Sequence, residues 1–140
     1  MRINQILLKT TKNQYDIGLV ILRLSVGSLM AIHGIDKLSS FSVYSSQFSD
    51  PIGLGSKTAL GLVILAEFIG GLTLCLGLLT RFFSFLIFVT MAVAVFVAHG
   101  QDPFAVKELA FLFFLTSFSL MVSGAGNYSV DAFIDKKVNP

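Results

Sequence analysis

Four stretches of the chain are apolar almost throughout, at residues about 17–35, 59–79, 82–99 and 107–123. Each is long enough to cross the ~30 Å hydrocarbon core of a bilayer, which takes about 20 helical residues. Open strands in lipid leave their backbone groups unpaired, and a barrel would alternate polar and apolar positions in segments of about ten residues, so all four runs are expected to be helices. The second and third are separated only by Thr80 and Arg81. A connection that short predicts an antiparallel hairpin. Between the first and second runs lies SSFSVYSSQFSDPIGLGSK, in which Phe41, Tyr44 and Phe48 recur at helical spacing. That pattern predicts an aromatic segment over about 39–49 lying on the membrane interface. Pro51, Gly53 and Gly55 end it. The fourth run closes at GAGN, where Gly124 is expected to cap the helix and Gly126 with Asn127 to turn. Ser129 then starts a short amphipathic tail through Val130, Phe133 and Ile134, with Lys136 and Lys137 toward the headgroups.

Composition agrees with the pattern. Of 140 residues, 54% are hydrophobic and 13% charged, with a mean hydropathy of +0.82, whereas a soluble domain carries about a quarter charged residues. The expected architecture is a single all-α domain over residues 1–140, an integral membrane four-helix bundle in contact with the lipid bilayer. The first run follows Arg2, Lys9 and Lys12, yet it is long, carries Arg23 and lacks a small-x-small site before Asp36, so it is expected to be a span rather than a signal peptide. With the N-terminus inside, the inner segments hold Arg2, Lys9, Lys12, Arg81, Lys136 and Lys137, and the outer loops hold Lys37, Lys57 and Lys107. Six against three predicts both termini in the cytoplasm and a multi-pass protein of the inner membrane. A net charge of +2 without a basic cluster predicts no nucleic-acid partner.

Charge changes the picture most where it enters the apolar runs, because ionisable groups at membrane depth usually face the bundle interior and mark function. Arg23, Gly27, Met30, Gly34 and Lys37 form one helical stripe, and Glu67, Gly70, Leu74, Gly77 and Arg81 another. Their glycines predict close packing of the first two membrane helices. A depth difference of roughly 7 Å, at about 1.5 Å per residue, predicts an Arg23–Glu67 ion pair and makes these two the catalytic candidates. His33, Lys37 and Glu108 form a second polar layer near the outer face, beside His99, Asp102 and Lys107. Histidine titrates near neutral pH, so this layer is expected to be an interfacial network, a proton relay or a quinone-headgroup site formed by His33, Lys37, Glu67 and Glu108. The histidines lack metal-site spacing, and no metal is expected. Cys75 stands alone in an apolar run and is expected to fill space. The aromatic fourth run, with Phe104, Phe111, Phe113, Phe114 and Phe118, is expected to serve packing and lipid contact.

Phosphate loops, nucleophile elbows, paired cysteines and haem-attachment motifs are missing. Any redox chemistry therefore needs a cofactor or a partner. The blocks LRLSVGSLMAIHGIDKL, AEFIGGLTLCLGLLTR, Glu108 and GAGNYSVDA, in that order from about Leu22 to Asp131, resemble the DoxX family of small four-helix bacterial membrane proteins. The family pattern falls on Arg23, Gly27, His33, Gly34, Lys37, Glu67, Gly70, Gly71, Gly77, Arg81 and Glu108. Some relatives look like membrane subunits of thiosulfate:quinone oxidoreductase, and others accompany soluble redox enzymes in a membrane-associated oxidoreductase complex. The resemblance thus implies a subunit that meets a quinone and a soluble or membrane redox protein; it specifies no reaction. Two alternatives stay open, a non-catalytic anchor or assembly factor and, ranked last, a small transporter or lipid-handling protein acting as a homo-oligomer.

Overall fold

A computed structural model describes residues 11–139; Arg2 and Lys9 of the charge count lie outside them. Among the described residues four helices are long and apolar enough to cross a membrane: α1 (Lys12–Ser39), α3 (Ser56–Leu76), α4 (Thr80–Ala98) and α5 (Phe104–Ser123). Two short helices accompany them, α2 (Phe41–Gln47) after α1 and α6 (Val130–Val138) after α5. The described residues contain no strand. Each expected run is a helix, and the segment expected over about 39–49 is helical as α2.

Local chemistry sets most boundaries. Thr11 starts α1 with a capping box, its hydroxyl accepting from the Gln14 amide while the Gln14 side chain accepts from the Thr11 amide. Gly124, at φ 78°, ends α5, and Ser129 caps α6 by accepting from the Ala132 amide at 3.1 Å. One boundary differs from expectation. The hairpin turn is Gly77, Leu78 and Leu79, while Thr80 and Arg81 already belong to the first turn of α4. Gly77 takes φ 67°, its amide donates to the Leu74 carbonyl at 3.0 Å, and the Leu78 amide donates to Thr73 at 2.9 Å. This arrangement closes a helix end whatever the hydropathy of the next residues.

The helices form an up-down-up-down bundle in which α1 lies along α3, α3 beside α4, α4 along α5, and α5 against α1. Leu19, Val26, Met30, Leu74, Ile87, Met91, Phe113 and Leu120 make the core. The seam between α1 and α3 is built on glycine. A methyl on Gly71 would lie 2.5 Å from the Gly27 carbonyl oxygen, a methyl on Gly27 would lie 2.7 Å from the Cys75 sulfur, and one on Gly34 would strike the Phe68 backbone. Gly71 therefore makes the close approach expected of Gly70, which instead faces Phe83 and Ile87 of α4.

The phase shift has a cause. Residues Leu65–Ile69 form a π-helical turn inside α3, with the Gly70 amide bonded to the Leu65 carbonyl five residues back. One extra residue in that turn rotates everything beyond it relative to Glu67.

Candidate functional site

The α1–α3 register decides which charges meet. With Gly34 against Phe68 and Gly27 against Gly71 and Cys75, Arg23 is level with the α3–α4 turn and Glu67 with Ile35. At about 1.5 Å per residue these levels differ by ~18 Å. The expected Arg23–Glu67 pair does not form.

Glu67 instead accepts from Lys37, Nζ to Oε2 2.6 Å, with the carboxylate side chain 6% exposed and the lysine 22%. The Lys37 Nζ also reaches the His33 carbonyl oxygen at 3.5 Å. His33 stands edge-on to Phe113, with ring centroids 6.1 Å apart.

Arg23 is buried at the opposite end of the bundle, where Nη2 donates to the Tyr128 carbonyl oxygen at 2.6 Å. Around it the closing GAGNYSVDA segment ties the helix ends together. Asp16 accepts from the Asn127 amide at 3.0 Å and from its side chain at 2.7 Å, and the Tyr128 hydroxyl donates to Asn13 at 2.5 Å. Asp131 accepts from the amides of Leu79 at 2.7 Å and Thr80 at 2.9 Å, so a residue of the tail caps α4. It holds Leu79 at φ 47°, a left-handed conformation uncommon for leucine. Replacing Asp131 with Ala is expected to lower stability by about 1–2 kcal/mol, measured by thermal unfolding in detergent. Arg81 points away from α3 and extends Nη2 to within 3.5 Å of the Val122 carbonyl oxygen, near the end of α5. These residues hold the bundle together and lie far from the Lys37–Glu67 pair.

A cavity of about 600 Å³ lies at the other end, between α1, α3, α4, α5 and the loop after α2. His33, Lys37 and Glu67 line it together with Thr90 and His99, and the rest of its wall is mostly apolar. Leu62, Leu65, Phe85 and Val89 line it as well and are also exposed on the outer surfaces of α3 and α4. The cavity therefore opens sideways, toward lipid. Both helices carry a π-helical turn here, Leu65–Ile69 in α3 and Ala94–Ala98 in α4. Hydropathy carries no sign of such turns, which recur at functional sites.

Glu108 does not join this group. It is exposed on α5 beside Phe104 and Leu112, because its helical phase faces away from the core. Lys107, one residue earlier, turns back and donates to the His99 and Gly100 carbonyls at 3.2 and 3.0 Å, capping α4 with a positive charge where the helix dipole favours it. His99 Nδ1 shares a 2.7 Å hydrogen bond with Asp102. On α2, Tyr44 donates to Asp36 at 3.0 Å, and this bond holds the phenol above its ordinary pKa. Among the described residues no three His, Cys, Asp or Glu side chains gather as a metal site.

A family model, DoxX, matches residues 18–100. The chain is 31% identical over 123 residues to CatD of Bacillus subtilis (strain 168), whose name proposes an oxidoreductase, covering 87% of this chain and 90% of that protein. It is 30% identical over 130 residues to the inner membrane protein YqjF of Escherichia coli (strain K12), covering 90% and 98%. No solved structure shows a significant match.

Proposed function

The chain belongs to the DoxX family of multi-pass inner-membrane proteins, and on that premise we propose that it is the quinone-binding subunit of a membrane-associated oxidoreductase complex. The observation that carries this reading is the sideways-open cavity with one polar end. A molecule with an apolar tail and a polar ring can enter it from the hydrocarbon without crossing water. The volume of about 600 Å³ falls in the range of small-molecule sites, about 300–1,000 Å³, and its chemistry fits a quinone. The apolar walls suit the tail, and Lys37 offers an ammonium to a carbonyl oxygen.

A quinone supplies reversible two-electron, two-proton chemistry when bound. This chain's residues would hold its ring and manage the protons. Lys37 Nζ donates, Glu67 stands beside it to accept or return a proton, and His33 brings an imidazole to the same end of the cavity. Arg23, remote from the cavity, has no part in this step. Electrons must come from a partner, since the chain has no redox motif of its own. The name of CatD lends support at the level of chemical class.

The test is quinone content by mass spectrometry after gentle purification. The native protein is expected to carry stoichiometric quinone and Glu67→Gln to lose most of it, with Cys75→Ala, remote from the cavity, as the unchanged control. Native protein without quinone would overturn the proposal and leave the non-catalytic anchor, to be pursued by crosslinking to a dominant partner.

A further inference from the structure

Helix α6 presents an apolar stripe that the described residues leave exposed beyond its first turn. Val130, Phe133, Ile134 and Val138 recur at i, i+3, i+4 and i+8, which places them on one face. Phe133 and Val138 are each 69% exposed and Ile134 46%. The start of the helix is fixed, for the Asp131 amide donates to the Gly77 carbonyl at 2.9 Å while its carboxylate caps α4. Gly77 to Leu79 is the turn where α3 and α4 leave their spans. The first turn of α6 is thereby held beside the α3–α4 turn, at the end of the two spans.

Charge names what covers the stripe. Of the two acidic groups on α6, Asp131 is engaged by the α4 amides and Asp135 accepts from the Asn139 side chain at 3.0 Å. Lys136 and Lys137, in the last turn, have no such partner among the described residues and make no ion pair there. Lys12 and Arg81 lie at the same end of the bundle. We infer that α6 is an in-plane helix docked on an anionic phospholipid surface, its apolar stripe sunk at the acyl boundary and Lys136 and Lys137 on lipid phosphates. The hydrocarbon supplies the burial. Each lysine near an anionic surface adds about 1 kcal/mol of attraction, or roughly five-fold in the docked-to-free ratio. This inference is independent of the cavity.

The chain contains no tryptophan, so Phe133→Trp in the full-length protein provides a single fluorophore. Reconstituted in vesicles of phosphatidylcholine and phosphatidylglycerol, this variant is expected to emit at blue-shifted wavelength and to be quenched by lipids brominated near the top of the acyl chain. Adding Lys136→Glu and Lys137→Glu is expected to reduce quenching and to remove its dependence on phosphatidylglycerol. Emission typical of water, indifferent to brominated lipid, would overturn the inference. So would burial of the indole that disappears when the protein is diluted in the membrane, which would assign the stripe to a second copy of the chain.

Discussion

Alanine in place of Gly71 is expected to lower stability by about 2–3 kcal/mol, the upper part of the range for overpacked interiors, and to shift the thermal unfolding midpoint in detergent downward by several degrees. The added methyl would lie 2.5 Å from the Gly27 carbonyl oxygen and 2.6 Å from the Ala31 amide nitrogen. Both are backbone atoms of α1. No rotamer change relieves the clash, so the helices must separate and lose dispersion contacts along the seam, the main attraction between helices in lipid. Gly34→Ala should behave alike, since its methyl meets the Phe68 backbone. Gly61, on the same helix as Gly71 but with nothing within 4 Å of a built methyl, is the control. Alanine there should leave stability unchanged or raise it slightly through helix propensity. Equal behaviour of Gly71→Ala and Gly61→Ala would refute the glycine seam.

A second large effect is expected from Lys37→Met. Glu67 is 4% exposed as a residue and Lys37 is its ion-pair partner, at 2.6 Å. Removing the cation leaves a carboxylate in a low-dielectric site, and breaking such a pair costs about 3–5 kcal/mol when burial is complete. Lys37 is partly exposed, so about 3 kcal/mol is the expected loss. The double variant Lys37→Met with Glu67→Leu removes both charges and is expected to recover most of that stability. Glu67→Gln alone should be milder, because a neutral amide can still accept from the ammonium. If the double variant were as unstable as Lys37→Met, the damage would lie in lost packing rather than in an orphaned charge. The same variants bear on the proposed function, because a stable double variant lacking the quinone expected of the native protein would separate ligand binding from folding.

The candidate site was partly legible. His33, Lys37 and Glu67 stand out as polar residues in apolar runs, and the structure brings them to one cavity. Arg23 stands out for the same reason, yet it braces the opposite end of the bundle through Tyr128. Depth along a helix can be counted from sequence, but the offset between two helices cannot, and that offset separated Arg23 from Glu67. Glu108 shares the depth of His33 but not its direction. Asp131 was missed as a cap because its targets, Leu79 and Thr80, lie about fifty residues away in the chain.

What the sequence alone determined was the set of elements: four membrane-length helices, the short helix after the first, the closing glycine turn and the amphipathic tail. These follow from local quantities, since hydropathy over about 20 residues decides insertion and capping residues act within a turn or two of themselves. The tertiary structure decided the partners. Backbone contact at Gly27, Gly34 and Gly71 set the helix register, and two π-helical turns mark the stretch where α3 and α4 line the cavity. The α1–α3 register gave Glu67 to Lys37 rather than to Arg23. Register and helix phase are properties of two surfaces meeting, so no single stretch of sequence encodes them.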